Sequence, residues 1–302
     1  MRNNPSTGEY FVRTQSVTLL QGNDAINVID RVVSTRIIDS PNSHSKDVLF
    51  CDYNGRIIDI GSIYKIQDKI LLLSTEKMGR KTRKTLIDGK SWDEQCEIII
   101  ADEAIGRISL VTTDFNSIIN RLGFDGVELE RNRIFEIEDM IAVRSDYPGG
   151  SILDVLLPRN QIEDFISMLE EMELSKMSED RWNFSRIAIC VPTLIDVGGM
   201  LPTECGMHNQ ISKNKGCYPG QEVHARLDSR GRTVKRLCLL TGVSSLAIGK
   251  HSLSSGSSIV VTSSELSNGV SYSFATLRIG DIESESVNLD GAQLQVEALT
   301  YP

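Results

Sequence analysis

The chain has 302 residues, of which 40% are hydrophobic and 24% are charged. This composition is that of a globular protein with a sizeable core, and the length suffices for two or three domains. The formal net charge of −9 argues against general nucleic-acid binding, because such binding needs a basic surface. No apolar run approaches the roughly 20 residues that cross a bilayer, and the start, MRNNPSTGEYF, lacks the apolar stretch of a secretory signal.

The cysteines are dispersed along the chain, at positions 51, 96, 190, 205, 217 and 238, and form no CxxC pair. Neither a disulfide framework nor a zinc site is therefore expected, and we predict no metal site. A reducing compartment suits such thiols, so we expect a cytoplasmic protein.

The first two thirds of the chain alternate between short strand patterns and helical patterns. Asn54-Gly55 lies between two apolar runs and predicts a two-residue hairpin turn. Asn23, Asp114 and Pro158 are residues that commonly begin helices. The predicted strands are 11–20, 48–53, 57–66, 69–74, 97–101, 106–112, 134–144 and 151–157, and the predicted helices are 24–37, 75–87, a short one from Asp114, 158–172 and 179–189.

From position 236 the chain becomes rich in Ser, Gly, Val and Leu. Short strands are predicted at 237–241, 258–262, 270–277 and 293–298, which is typical of a small β-barrel or sandwich. We therefore predict two domains, 1–235 and 236–302. Strands and helices in the first domain do not alternate strictly, so the fold class is α+β with mainly antiparallel sheets. No glycine-rich phosphate-binding motif is present.

Two basic segments leave two interpretations open. The predicted helix 75–87 carries basic residues (Lys77, Arg80, Lys81, Arg83 and Lys84), and a later turn carries Arg230 and Arg232. Each is either a solvated face or a surface for an anion, such as the acidic tail of a ligand.

The sequence KGCYPGQE, residues 215–222, places one cysteine between two glycines. Gly216 and Gly220 permit a sharp turn or a close approach, and Pro219 suits the start of a helix. Cys217 lies just before that helix and near Lys215, a setting that favours the thiolate. A nucleophilic, redox or metal-ligand role and a purely structural role as a small packed side chain both remain open. His224 could serve the thiol, but the sequence does not place its ring.

The same eight residues resemble the signature K-G-C-Y-x-G-Q-E of the YgfZ-like folate-binding proteins. These are relatives of the glycine-cleavage T-protein (aminomethyltransferase), and they include the mitochondrial iron–sulfur assembly factor. The family pattern extends over nearly the whole chain, although only the cysteine motif is highly specific. Its weaker matches are Gly22–Ala25, Asp52–Arg56, Leu201-Pro202, Ala225-Arg226, Arg230-Gly231 and the C-terminal segment around Gly256.

The resemblance implies a T-protein-like fold whose parts surround a central hole that holds tetrahydrofolate. Asp59 matches the carboxylate that the transferases place near the reacting nitrogen of the folate, which suggests a general acid or base. The transferases also carry R-x-E-A-G, whose glutamate holds the pterin. Here that stretch begins at Arg186, with Ala188 in place of the glutamate and Cys190 in place of the glycine. This departure argues against aminomethyl transfer.

The resemblance implies a tetrahydrofolate-binding accessory factor for the assembly or repair of iron–sulfur enzymes. The chain is then expected to be a monomer with folate and iron–sulfur proteins as partners, and Cys217 and Asp59 are the candidate catalytic residues. The candidate folate-binding residues are Lys215, Gly216, Tyr218, Gly220, Gln221, Glu222, Arg226 and Arg232. The alternatives are a folate-dependent aminomethyl or one-carbon transferase, and a non-catalytic interaction module with a vestigial pocket.

Overall fold

A computed structural model of the chain describes residues 8–123 and 129–302, except for the side chain of Arg230. The strands in chain order are β1 (Glu9–Arg13), β2 (Ser16–Gln21), β3 (His44–Cys51), β4 (Ile57–Ile66), β5 (Lys69–Ser74), β6 (Glu97–Ile100), β7 (Ile105–Val111), β8 (Ile134–Ile137), β9 (Met140–Tyr147), β10 (Gly150–Pro158), β11 (Ser175–Lys176), β12 (Lys235–Gly242), β13 (Gly249–Ser252), β14 (Ser258–Ser267), β15 (Val270–Arg278), β16 (Ser286–Leu289) and β17 (Ala292–Ala298). The helices are α1 (Ala25–Val32), α2 (Gly79–Gly89), α3 (Phe115–Arg121), α4 (Ile162–Glu171), α5 (Glu179–Ile189), α6 (Leu194–Val197), α7 (Gln221–Arg230) and α8 (Ile279–Ile282).

The strands form three sheets, and the fold class is α+β, as predicted. Sheet 1 has the order β11-β1-β7-β10-β9-β8, sheet 2 the order β3-β4-β5-β2-β6, and sheet 3 the order β13-β14-β15-β12-β17-β16. The strand pairs are antiparallel except for the short pair β1–β11. Antiparallel sheets can present a different environment on each face, which matters for the site below.

Sheets 1 and 2 pack face to face, with helices on their outer sides. Leu73 of sheet 2 and Leu156 of sheet 1 belong to the core between the sheets. Helices α3 and α4 cover the outer face of sheet 1, and helices α1 and α2 cover the outer face of sheet 2. Burying each large apolar side chain contributes about 1.5–3 kcal/mol, so these cores fix the relative position of the layers.

Sheet 3 contains only strands from Lys235 onward, so the composition change at position 236 coincides with its first strand. Among the described residues its outer strands β13 and β16 are not paired with each other, and the pairings describe an open sheet. Closure into a barrel and the two-domain division stay predictions. No helix in the described part of the chain is both long and apolar enough to span a membrane.

Most predicted elements are present, but several differ from the prediction. The single strand predicted at 134–144 is a hairpin of two strands, β8 and β9. The α-helix predicted from Pro158 begins at Ile162, because Pro158 is the last residue of β10. The single strand predicted at 11–20 is two strands, because the chain passes from sheet 1 to sheet 2 at Thr14 and Gln15. The first helix ends at Val32 rather than near Ile37. Beyond it, Val33 is extended and pairs with Phe50, so a tertiary contact replaces the last helical turn.

Candidate functional site

A pocket of about 280 Å³ lies between sheets 1 and 2. Arg13 and Arg107 of sheet 1 line one side, and Asp47 and Ser62 of sheet 2 line the other. The segment 191–194 and Tyr301 complete its wall. The volume lies near the lower end of the roughly 300–1,000 Å³ that ligand sites occupy, so a ring system fits and a long ligand would extend out of it.

The sheet 1 side of the pocket carries two arginines, of which one is neutralised. Arg107 makes two hydrogen bonds to Asp154, at 2.9 and 2.6 Å, and Ser109 donates to the same carboxylate at 2.5 Å. Burial opposes charge on Asp154, but the guanidinium of Arg107 holds its pKa below the usual value. Arg13 packs over the ring of Trp182, 5.3 Å from its centroid, and no carboxylate in the described residues pairs with it. Burial, followed by the charge of Arg107, lowers the pKa of Arg13 to about 10. Arg13 is therefore a cation available to a ligand.

Asp47 supplies a carboxylate on the sheet 2 side. Ser62 donates a hydrogen bond to it at 2.7 Å. The carboxylate is open to the pocket, but protein surrounds the pocket, and this loss of hydration raises the pKa of Asp47. A carboxylate in such a place accepts hydrogen bonds from a ligand's N–H groups.

Four pocket-lining residues have a buried polar atom without a partner among the described residues. Tyr301 and Ser74 are each only 4% exposed, and the phenol oxygen and the hydroxyl oxygen lack a hydrogen bond. The side-chain oxygens of Gln15 and Gln210 are in the same situation. Buried polar atoms are usually hydrogen-bonded, so this concentration around one pocket points to a polar ligand or ordered water.

Asp59 does not line the pocket. It lies on β4 with its side chain toward α2, where its carboxylate accepts a hydrogen bond from Thr82 at 2.5 Å and from the Thr75 amide at 3.4 Å. Burial raises the pKa of Asp59. Because side chains alternate along a strand, its neighbour Ile60 is the residue that faces the pocket. The structure thus places Asp59 where it ties sheet 2 to α2, and a role in proton transfer stays a prediction.

The cysteine loop, residues 215–222, lies outside the pocket and is anchored by Lys215. The Lys215 ammonium is buried and donates to three backbone carbonyl oxygens at the end of α1. Asp30 belongs to the last turn of the helix, and Val33 and Thr35 lie just after it. Burial lowers the pKa of Lys215 to about 8, although the Asp30 carboxylate nearby opposes the shift. Lys215 thereby satisfies carbonyls that the end of the helix leaves free. Its position indicates a structural role, not direct contact with a ligand in the pocket.

The second half of the cysteine loop packs on the turn between β3 and β4. Gly220 has a φ of +84°, and a Cβ atom there would lie 2.5 Å from the Cα atom of Gly55. His224, which is 3% exposed, donates from Nε2 to the Gly55 carbonyl at 2.8 Å. Its Nδ1 therefore accepts from the Tyr218 hydroxyl at 3.2 Å. These contacts hold the loop rigidly against the hairpin.

The remaining predicted site residues lie on the surface around the loop. Cys217 is the exposed cysteine among the six, whereas the others are buried, and burial raises the thiol pKa of Cys51, Cys205 and Cys238. Gln221 donates to the Lys215 carbonyl at 3.4 Å. The other predicted residues are all exposed: Gly216, Glu222, Arg226 and Arg232. The described residues contain no group of three or more His, Cys, Asp or Glu arranged to hold a metal. The loop and the pocket are thus two separate features.

Arg186 and Ala188 belong to the core, not to the pocket wall. Arg186 donates to Asp196 at 3.0 Å and to the Ser263 hydroxyl at 2.9 Å, and both Arg186 and Ala188 are buried. Cys190 ends α5 with a φ of +69°, a conformation that glycine adopts most easily. This agrees with the place of Cys190 in the R-x-E-A-G pattern, where the transferases have a glycine.

The two basic segments differ in what their charges contact. In α2, Arg83 forms an ion pair with Asp102 and donates a hydrogen bond to the Thr18 hydroxyl. Lys84 in the same helix pairs with Asp88. Arg232 is exposed, whereas the side chain of Arg230 lies outside the described residues.

Sequence reasoning missed the polar residues of the pocket, Arg13, Asp47, Arg107 and Tyr301. A usable signal existed for one pair. Arg107 and Asp154 are opposite charges in two otherwise apolar predicted strands, which indicates a buried ion pair. The other residues are far apart in the chain and carry no local pattern.

The burial of His224 should make the stability of the protein depend on pH. Burial lowers its folded-state pKa below the usual value, so the unfolded chain binds the proton more readily. The stabilisation from neutral His224 is fully present above the unfolded-state pKa of about 6.5. It is lost as the pH falls from that value through the lower folded-state pKa. We expect His224→Gln to lose less stability than wild type between about pH 7.5 and about pH 5.5 in urea unfolding. Equal losses in both proteins would contradict this assignment.

Comparison with known proteins shows the fold. No protein-family model matches the chain, and no curated protein sequence matches it significantly. Among solved structures, part of the chain is similar to the heterotetrameric sarcosine oxidase of Corynebacterium sp. U-96. The match covers 58% of this chain and 90% of that chain, with 12% sequence identity and a TM-score of 0.40. The chain is similar over 98% of its length to 86% of the glycine cleavage system aminomethyltransferase T of Bartonella henselae, with 13% identity and a TM-score of 0.81. The chain therefore has the fold of that aminomethyltransferase.

Proposed function

We propose that this chain is a tetrahydrofolate-binding protein that assists the assembly or repair of iron–sulfur enzymes. The observation that carries the proposal is the polar pocket between sheets 1 and 2, in a chain with an aminomethyltransferase fold. The iron–sulfur role rests on the KGCYPGQE resemblance.

The pocket residues suit the chemistry of a reduced folate. A pterin ring presents N–H donors on one edge and acceptors on the same ring system, and its two faces are apolar. Asp47 accepts from N–H groups, while Arg13, Ser74 and Tyr301 have donors to offer. In this proposal Asp47 offsets the loss of the transferase glutamate at Ala188, because it brings a carboxylate to the pocket from β3. Bound folate would supply a one-carbon acceptor at its nitrogens.

Cys217 acts on a partner protein in this proposal, not on the folate. Its thiol is exposed, and no residue of the cysteine loop lines the pocket. Tyr53, in the turn on which Gly220 packs, is 87% exposed and offers a large apolar surface beside the loop. An exposed aromatic on the turn against which the cysteine loop packs suits a protein contact.

Calorimetric titration with tetrahydrofolate tests the folate site. We expect binding by wild type, and Asp47→Asn should weaken it by about tenfold or more, because a charge-assisted hydrogen bond contributes roughly 1.5–3 kcal/mol. Asp68→Asn is a matched control, since Asp68 is an exposed aspartate in the turn between β4 and β5 and does not line the pocket. It should change the affinity less than about twofold.

Absence of tetrahydrofolate binding in a folded wild-type protein would contradict the proposal and favour an interaction module with a vestigial pocket. Equal weakening by Asp47→Asn and Asp68→Asn would place the ligand elsewhere.

A second candidate function is folate-dependent aminomethyl transfer. The observation in its favour is the raised pKa of the pocket carboxylate Asp47, which suits proton transfer. Incubation with tetrahydrofolate and an aminomethylated lipoyl carrier should then yield methylene-tetrahydrofolate, with release of ammonia and of the dihydrolipoyl carrier. Asp47→Asn should abolish this turnover. Folate binding without turnover would leave the accessory role.

A further inference from the structure

A second pocket, of about 370 Å³, lies at an edge where sheets 1 and 2 meet. Three segments form it: 36–41 after α1, the start of β3, and residues 131–132 before β8. Backbone hydrogen bonds hold these segments together, from the Ser45 amide to the Asn132 carbonyl at 2.7 Å and from the Ile134 amide to the Ser43 carbonyl at 2.8 Å. The pocket is therefore built by the fold.

This pocket is basic, although the chain as a whole has a net charge of −9. Its charged or titratable residues are Arg36, Asp39, His44, Lys46 and Arg131. Asp39 is the carboxylate among them, and it is bound by Arg36 through a hydrogen bond of 2.5 Å. The charges of Arg36 and Asp39 therefore cancel locally.

Lys46 and Arg131 both have hydrogen-bond donors available to a ligand. The Lys46 ammonium uses one hydrogen bond, to the Arg36 carbonyl at 2.8 Å. Neither Lys46 nor Arg131 forms an ion pair with a carboxylate in the parts of the chain that the structure describes. Of the nearby carboxylates, Glu130 pairs with Arg133 and Asp30 lies against Lys215. Asp47 accepts from Ser62 and acts on Arg131 only through a longer-range electrostatic interaction.

Two further groups add hydrogen-bonding capacity. The Ser40 hydroxyl oxygen is buried in the lining and has no partner among the described residues. His44 donates from Nδ1 to the Asn42 carbonyl at 3.1 Å, and its Nε2, an acceptor in the neutral ring, has no partner among the described residues. Buried hydroxyls are normally satisfied, so this one indicates an occupant with hydrogen-bonding oxygens or water.

We propose that the basic pocket binds a phosphate group, either free or esterified to a small organic molecule. A phosphate carries about −1.5 to −2 charges near pH 7, which suits the two cations Lys46 and Arg131 that form no ion pair within the described residues. Its oxygens accept hydrogen bonds from a lysine, an arginine and a hydroxyl together. The pocket is larger than one phosphate, so a monoester also fits. This site does not rest on the folate-binding function proposed above.

Calorimetric titration with inorganic phosphate and with glycerol 3-phosphate, in low-salt buffer, tests the site. We expect millimolar or tighter binding of at least one probe by wild type. Arg131→Met and Lys46→Met should each weaken binding by about tenfold or more, because each removes a charge-assisted contact. Arg133→Met is the matched control, since Arg133 is a neighbouring exposed arginine that pairs with Glu130. It should change binding less than about twofold.

The relative affinity of the two probes separates the sources of the phosphate. Tighter binding of glycerol 3-phosphate indicates an ester, and tighter or equal binding of inorganic phosphate indicates the free anion. No binding of either probe would overturn the site, and so would equal weakening by Arg131→Met and Arg133→Met, which would indicate surface charge alone. Arg131 is exposed, so its variant should fold, and a thermal melt checks this.

Discussion

Asp196→Asn should destabilise the protein by about 3–5 kcal/mol in urea unfolding, because it leaves the buried charge of Arg186 without its partner. The Asp196 side chain is fully buried, and one oxygen accepts from Arg186 at 3.0 Å and from the Thr193 amide at 2.8 Å. The other oxygen accepts from Thr262 at 3.0 Å and from Ser263 at 2.5 Å. An amide cannot accept all of these hydrogen bonds, since one of its two heavy atoms is a donor.

The network around Asp196 joins three parts of the molecule. Arg186 lies in α5, Asp196 in α6, and Thr262 and Ser263 in β14 of sheet 3. Consecutive strand residues normally point to opposite faces, but a register irregularity between Val261 and Ser263 lets both hydroxyls reach one carboxylate. Thr193, which lines the pocket between sheets 1 and 2, donates to the same carboxylate at 2.9 Å. Breaking the network should therefore also loosen that wall.

Asp88→Asn is the control for this prediction. Asp88 pairs with Lys84 at 2.7 Å on the exposed face of α2, and such pairs contribute only about 0.3–0.5 kcal/mol. A loss of less than about 1 kcal/mol in Asp196→Asn would contradict the assigned importance of the buried pair.

Elements that depend on local sequence were predictable. The helix predicted at 179–189 coincides with α5, and Asp114 caps α3 by accepting from the Ser117 amide at 3.0 Å. The hairpin around Asn54-Gly55 also forms, although its connection spans residues 52–56 instead of the predicted two. Asp52 stabilises it by accepting from the amides of Asn54 and Arg56 at 2.9 Å. Each of these depends on residues a few positions apart, which is the distance over which sequence patterns carry information.

Features that depend on distant residues could not be read in this way. The apolar pattern after α1 continues to Ile37, but the chain is extended there, and the freed carbonyls are satisfied by Lys215 from another part of the sequence. The direction in which Asp59 points depends on the packing of α2 against β4, where Thr82 donates to its carboxylate. The position of Asp59 in the sequence, after the Gly-Arg hairpin, did not show this direction. The pocket unites Arg13, Asp47 and Tyr301, which only the assembled sheets bring together.

The cysteine loop was predicted in part from the sequence and in part only by the structure. The resemblance found the loop and its glycines, but it treated Gly216 and Gly220 alike. Gly216 has an ordinary φ, and a Cβ atom added there meets no heavy atom within 4 Å. Gly220 has a positive φ, and its Cβ position is blocked by the backbone of the β3–β4 turn. Only the contact between loop and hairpin separates a required glycine from a replaceable one.

Gly220→Ala should therefore destabilise the protein by about 2–5 kcal/mol, as the sum of a left-handed backbone penalty and an overpacking cost. A Cβ atom at position 220 would lie 2.7 Å from the Asp52 carbonyl oxygen as well as 2.5 Å from Gly55 Cα, and backbone cannot move aside as a flexible side chain can. Gly216→Ala is the matched control in the same loop, and it should change the free energy of unfolding by less than about 0.5 kcal/mol.

The same pair of variants tests whether the position of Cys217 matters for function. In cells lacking the native gene, at matched soluble protein levels, Gly220→Ala should restore iron–sulfur enzyme activity as poorly as Cys217→Ala, because the thiol is displaced. Gly216→Ala should restore activity as wild type does. Full rescue by Cys217→Ala would contradict the role of the thiol. Full rescue by Gly220→Ala, with poor rescue by Cys217→Ala, would mean that the thiol acts without the support of the hairpin.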